Sequence, residues 1–348
     1  MKKLRAGLAG FAALALVAGA AACGNGAAGG AGGADGEKKT IRIAYQAFPS
    51  GDLIVKNQGL LEKALPDYRI TWTKFDSGAS INTAFVAKAV DIAAIGSSPV
   101  ARGLSAPLNI PYKVAFVLDV AGDNEALVAR NGSGVTDVAS LKGKKVATPF
   151  ASTAHYSLLA ALDQAGVKEN EVSIVDLEPQ DIQAAWTRGD LDAAYTWLPS
   201  LAEIKKTGKV LISSRQLATA GKPTLDLGVV STAFIDAHPE AVDAWRKVEA
   251  QALDIIAADP AAASKAVGAE LNLSPAEAQE QLSQGVFLKP ADLATDEWLG
   301  TEGKVGQLAV NLVSAAEFLK GQQKIDAVPA LADVQNAVYV KGLPSVLG

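Results

Sequence analysis

The sequence predicts an α/β protein built as two doubly wound lobes with a ligand cleft between them and a helical C-terminal part. Three observations predict it. Short β-branched runs alternate with helical patterns from residue 40 onward, the mark of βαβ units and a largely parallel sheet with helices on both faces. The pattern restarts after Asn131, Gly132, Ser133 and Gly134, which gives a second lobe. From His238 and Pro239 the alternation gives way to Ala-rich helical periodicity.

Taken in order, residues 1–22 read as an export signal. Lys2, Lys3 and Arg5 form a basic start, residues 8–22 are apolar, and small residues lead to Cys23. The apolar stretch is short for a membrane span. Residues 24–36, GNGAAGGAGGADG, cannot bury a core and form a flexible tether, so 23–38 is assigned as a linker. The first lobe then occupies 39–127, with strands at 40–46, 69–75 and 91–96 and helices at 53–64 and 80–89. The second lobe, 128–224, carries strands at 144–148, 171–176 and 192–197 around helices at 153–165 and 181–188. A strand at 225–231 leads back to the first lobe, which 225–348 completes with helices at 241–258, 261–271, 274–284 and 303–320.

A lobe interrupted by another leaves two crossing strands as a hinge, expected near 125–130 and 223–229. Ligands of doubly wound sheets bind outside the carboxyl ends of strands, so the cleft between the lobes is the expected site and closure of the lobes the expected motion.

Composition narrows the chemistry. The 348 residues carry a net charge of −5 with acidic and basic residues interspersed, which argues against nucleic acid as a partner. Cys23 is the sole cysteine, so the body after the linker has neither disulfides nor thiol chemistry. An exported protein with one thiol either keeps a stray exposed cysteine or lipidates it. Ala20-Ala21-Ala22-Cys23 resembles a lipoprotein cleavage box, although such boxes usually carry Leu where Ala20 stands. That reading ties the chain by a lipid on Cys23 to an outer membrane face.

The run PFASTAHYSLLAAL at 149–162 is the most informative stretch. Ser152 or Thr153 can cap the helix, leaving its first amides outward where the macrodipole favours an anion, while Leu158, Leu159 and Leu162 supply a buried stripe. The alternative is a cap of a purely structural helix. Four segments follow strand-like runs and therefore lie at the cleft edge: 45–48, 96–99, 150–156 and 195–199. Gln46 follows Tyr45. Ser97 and Ser98 precede Pro99 at a helix start and form a second anion seat. Tyr156 and Trp197 either cover a ligand's methylenes or pack in the core. Asp226 opens an apolar strand where an unpaired carboxylate is costly, and Glu125 at the other crossing shares its ambiguity: each pairs with a Lys or Arg, or with a cationic ligand group. His155 and His238 are the only histidines, and with no cysteine in the body a metal site is not expected, nor any cofactor. Arg188-Gly189-Asp190 reads as a surface turn with Gly189 at positive φ.

Read together, FDSGAS at 75–80, GSSP at 96–99, PFASTAHYSLLAAL at 149–162, AAWTRGDLDAAYTW at 184–197 and PTLD at 223–226 resemble the taurine-binding periplasmic proteins of the ABC importers. The resemblance covers about 41–230. It implies the type II periplasmic-binding fold, no catalysis, a monomer, and delivery of taurine or a related sulfonate to a permease and its ATPase. It implies a sulfonate seat at Ser152 and Thr153 with Ser98 beside it, and an ammonium acceptor at Asp226, with Gln46, Ser97, Glu125, His155, Tyr156 and Trp197 around the ligand. Gly228 stands where a bulky aromatic can occur, and widens the pocket if it faces the cleft. Other readings are a receptor for unaminated alkanesulfonates and a hydrolase or desulfinase on the same fold. The missing cysteine nucleophile counts against the last.

Overall fold

The structure, a computed structural model, describes residues 38–347. The expected export signal, Cys23 and nearly all of the tether lie outside the described residues. The first lobe opens with β1 (Lys39–Gln46), β2 (Tyr68–Phe75), β3 (Ile92–Gly96) and β4 (Tyr112–Val120). The second contains β5 (Glu125–Arg130), β6 (Lys145–Thr148), β7 (Ser173–Asp176), β8 (Ala193–Trp197) and β9 (Gly208–Ser213). The chain then returns through β10 (Leu225–Ser231). The strand orders are β2-β1-β3-β10-β4 and β7-β6-β8-β5-β9.

Each sheet is mixed, two of its four pairings parallel and two antiparallel, where the sequence predicts a largely parallel sheet. β10 runs antiparallel to both β3 and β4, and β5 antiparallel to both β8 and β9. Both are the first strand after a crossing between lobes, so each enters its sheet from the cleft side, opposite to strands fed by βαβ crossovers. The remaining pairings, β1 with β2 and β3 and β6 with β7 and β8, are parallel.

The crossings also lie slightly earlier than expected. β5 belongs wholly to the second sheet and β10 wholly to the first, so the connections are 121–124 and the residues just before Leu225. They touch: the Ala121 amide donates to the Thr224 carbonyl at 2.9 Å. Arg215 clasps Asp123 at 2.7 Å beside them.

Period-two alternation places Leu127 and Ala129 of β5 in one apolar cluster and Ala126 and Val128 in another, one on each face of the second sheet. On the first of these faces packs the helix Thr153–Gln164, whose Leu158, Leu159 and Leu162 are at most 2% exposed. Burying each contributes about 1.5–3 kcal/mol. The other face is covered by Pro179–Arg188, which begins with proline at its first turn and stops at Gly189, φ +80°. The expected helix at 53–64 is two, Gly51–Gln58 and Leu60–Ala64, divided at Gly59 in the left-handed region, φ +60°. In the C-terminal part, Gly300–Thr301 and Lys304–Val305 form a small hairpin, so the helix expected from 303 runs Leu308–Gly321.

Candidate ligand-binding site

A cavity between the lobes collects the carboxyl ends of β1, β3 and β8 and the starts of β5 and β10. Its walls include Gln46, Phe48, Gly96 and Asp226 from the first lobe and Glu125, Ser152, Thr153 and Trp197 from the second, with Asn124 from the crossing. The lobes approach closely there. A Cβ on Gly96 would lie 2.5 Å from Thr153 Cγ2, so only glycine allows this strand end to meet the helix across the cleft. At the rim, Ser77 donates to Glu178 at 2.9 Å, joining the N-termini of the helices Gly78–Val86 and Pro179–Arg188.

Ser152 is the N-cap of the Thr153–Gln164 helix: its Oγ accepts from the His155 amide at 3.1 Å and donates to the Pro149 carbonyl at 2.6 Å. Ala151, at φ +56°, makes the turn into the cap. The Tyr156 amide returns to the Ser152 carbonyl. The amides of Ser152, Thr153 and Ala154 have no acceptor among the described residues, the donor set that a helix start offers an anion.

The cavity's two carboxyls come from both lobes, Asp226 from the first and Glu125 from the second. Asp226 meets no Lys or Arg within ion-pair distance among the described residues, so the salt-bridge alternative raised by the sequence is not what the structure contains. Burial pushes its pKa well up, and the neighbouring carboxyls of Asp119 and Glu125 push the same way. Glu125 likewise meets no Lys or Arg among the described residues, and its partners are hydroxyls. It accepts from Thr153 Oγ1 at 2.5 Å, Ser214 Oγ at 2.7 Å, and Ser157 Oγ and Thr224 Oγ1 at 3.3 Å each. Burial raises its pKa and these four hydroxyls oppose the rise. Glu125 thus ties the helix start to the second crossing.

Of the ten residues expected around a ligand, six line this cavity: Gln46, Glu125, Ser152, Thr153, Trp197 and Asp226. Ser98, His155 and Tyr156 instead border a separate cavity of about 220 Å³ that Ser152 also touches, between Arg102 and Lys324. His155 stacks on Phe150 at 4.6 Å and its Nδ1 accepts from the Ala151 amide at 3.1 Å. Burial, aided by Lys324 and Arg102, lowers its pKa to about 4. Tyr156 packs edge-on against Phe318 at 4.9 Å in the core. A helix presents successive residues to different sides, so the run 152–156 divides between two cavities. Ser97 lines neither; its Oγ accepts from the Leu225 amide at 3.0 Å and fixes the start of β10. Gly228 does not face the cleft: a Cβ there would lie 2.4 Å from Trp245 in the core, and the pocket gains no width from it. Phe48 belongs to the 45–48 segment expected at the cleft edge, whereas nothing in the sequence reading pointed to Asn124. Asn124 sits beside Glu125 at the crossing, where a Gly-Asp-Asn-Glu turn was the available signal.

The family model described as NMT1/THI5 like matches residues 82–263. The taurine-binding periplasmic protein of Escherichia coli strain K12 is 40% identical over 267 residues, 74% of this chain and 79% of that one. A putative aliphatic sulfonates-binding protein of Bacillus subtilis strain 168 is 33% identical over 216 residues, 60% and 63% of the two chains. Among solved structures, the alkanesulfonate-binding protein SsuA from Xanthomonas axonopodis pv. citri, bound to MOPS, superposes with a TM-score of 0.72 at 22% identity, covering 87% of this chain and 99% of that one. The desulfurization enzyme DszB shares the fold at TM-score 0.62 and 15% identity, over 89% and 99%. The match of over half the sequence to the family model and the 40% identity across most of both chains place this chain in the NMT1/THI5-like family, among the relatives of that taurine-binding periplasmic protein.

Proposed function

We infer that this chain is the extracytoplasmic substrate-binding component of an ABC importer and that its ligand is taurine, 2-aminoethanesulfonate. The observation that carries the reading is one cavity in which unpaired helix-start amides of the second lobe face the carboxyl of Asp226 on the first. The sulfonate sits on the amides following Ser152, and the ammonium at Asp226 and Glu125. Trp197 and Phe48 cover the two methylenes. A ligand that touches both lobes prefers the closed arrangement, so binding is a population shift toward it. The relatives' names support the ligand class.

The role is capture rather than turnover. Ser152 is engaged as a cap and His155 lies toward the other cavity, so no serine in the cleft is paired with a base; incubation with taurine is expected to release no sulfite. A permease and its ATPase are the expected partners, with the protein acting as a monomer. Lipidation of Cys23 would hold it at the membrane. Cys23→Ser is then expected to move the protein from the membrane to the soluble fraction, and unchanged fractionation would refute the anchor.

Titration calorimetry with taurine, ethanesulfonate and β-alanine tests the ligand by changing one end at a time. Asp226→Ala is expected to weaken taurine by at least about 30-fold, because removing one partner of a buried charge pair costs about 2–5 kcal/mol, and ethanesulfonate by less than about tenfold. Equal losses would remove Asp226 from the ammonium role. One observation favours the second reading, an unaminated alkanesulfonate receptor: the raised proton affinity of Asp226 leaves a neutral acid facing the cavity. Tighter binding of ethanesulfonate than of taurine would select it.

A further inference from the structure

Asp119 stands directly opposite Asp226 in the register of β4 and β10. It is 0% exposed, and neither oxygen meets a well-aligned N–H or O–H donor among the described residues. What faces it is Asp226, its direct cross-strand neighbour, whose carboxyl and amide both act on it. Two carboxyls held side by side with no cation between them avoid mutual repulsion only if one carries a proton. The other charged groups acting on the pair are acidic too: Glu125 at the start of β5 and Asp52 on the helix Gly51–Gln58. Behind Asp52 stand Glu249, on the helix Pro239–Ala258, and Lys56, which is itself paired with Glu270 at 2.5 Å. No Lys or Arg lines the cavity.

We propose that Asp119 and Asp226 form a proton-sharing dyad, so that capture of a ligand ammonium is an exchange of one cation for another. This rests on the reading that Asp226 receives the ammonium of taurine. On arrival of the ligand the O–H bond of the dyad breaks, its electron pair stays on the carboxylate, and the proton passes to water or buffer. The ammonium then donates to the freed oxygen. Asp119 does not line the cavity; it is a positioning residue that holds Asp226 ready without a buried net charge in the empty cleft. Burial raises both groups, Asp119 to about 7 and Asp226 also well up, which sets the exchange near neutral pH. A ligand without an ammonium leaves the proton in place, so the dyad also discriminates between zwitterions and simple anions.

Calorimetry of the whole protein in buffers of different ionisation enthalpy, near neutral pH, counts the proton. The wild type is expected to release a large part of one proton with taurine and none with ethanesulfonate. Its taurine affinity should rise by up to about tenfold per pH unit around neutrality. Asp119→Asn keeps the size and can donate to Asp226 but has no proton to exchange; it is expected to bind taurine with buffer-independent heat and a flat pH profile. Buffer-independent heat in the wild type, with taurine still bound, overturns the dyad and leaves the ligand assignment standing. Proton release that persists in Asp119→Asn overturns it as well, by assigning the proton to Asp226 alone. Absence of any taurine binding overturns the ligand assignment and the exchange with it. The wild-type count decides the matter even if the variant does not fold.

Discussion

Within 2.4 Å of where a Gly228 Cβ would stand lies the indole of Trp245, and Phe116 is 3.1 Å away. The glycine is there for close approach of strand and helix rather than for backbone freedom. Gly228→Leu should therefore destabilise by overpacking, by about 1–3 kcal/mol or more, while the taurine affinity of the folded fraction stays within about twofold. Chemical unfolding alongside calorimetry checks both, and a tenfold change in affinity at unchanged stability would return residue 228 to the pocket wall. Glu125 shows a related division of labour. Its four hydroxyl donors hold it in place before any ligand arrives, so it is organised to accept a cation without reorganising on binding.

The β3 end meets the Thr153–Gln164 helix in a close approach that closure must accommodate. Gly96 has an ordinary extended backbone, φ −65° and ψ 153°, so alanine fits the strand itself. Its Cβ collides with Thr153 Cγ2 across the cleft. Gly96→Ala should thus leave the melting temperature of the free protein unchanged and weaken taurine by about tenfold or more, since only the closed form is penalised. Adding Thr153→Ser, which removes Cγ2 and keeps the hydroxyl for Glu125, should restore most of the affinity; failure of the double variant to recover would place the strain elsewhere. What could be read from sequence follows the same scale. Ser152 was legible as a cap because capping is decided within four residues, and Gly189 as a helix stop for the same reason. The strand Tyr112–Val120 was missed, since a strand buried on both faces is an unbroken apolar run without alternation. Asp119, the single charge in its buried middle, was missed with it. The antiparallel entry of β5 and β10 depends on where the chain crosses between lobes, and no local pattern encodes that. Nor does periodicity say which of Ser152, His155 and Tyr156 faces which of two adjacent cavities.

The molecule as a whole buries more acid than base around its cleft, and its stability should depend on pH accordingly. Burial raises Asp52 to about 6 and Asp119 to about 7, and raises Asp226, Glu249 and Glu125 as well. A carboxyl whose folded pKa lies above its unfolded one contributes stability that is fully present below about pH 4 and lost as pH rises through the folded value. His155 has the opposite sign. Its folded pKa of about 4 means that its contribution is complete above about pH 6.5 and lost as pH falls through about 4. The carboxyls outnumber it, so the free protein should be most stable near pH 4 to 5, and its melting temperature should fall by roughly 5 °C or more toward pH 8. Saturating taurine places an ammonium among the ionised carboxyls, so its protection should grow over the same range as the free protein weakens. Thermal scans of free and taurine-saturated protein across this range check both slopes. A melting temperature of the free protein that climbs from pH 5 to pH 8 would mean that these carboxyls are already ionised and neutralised in the empty cleft.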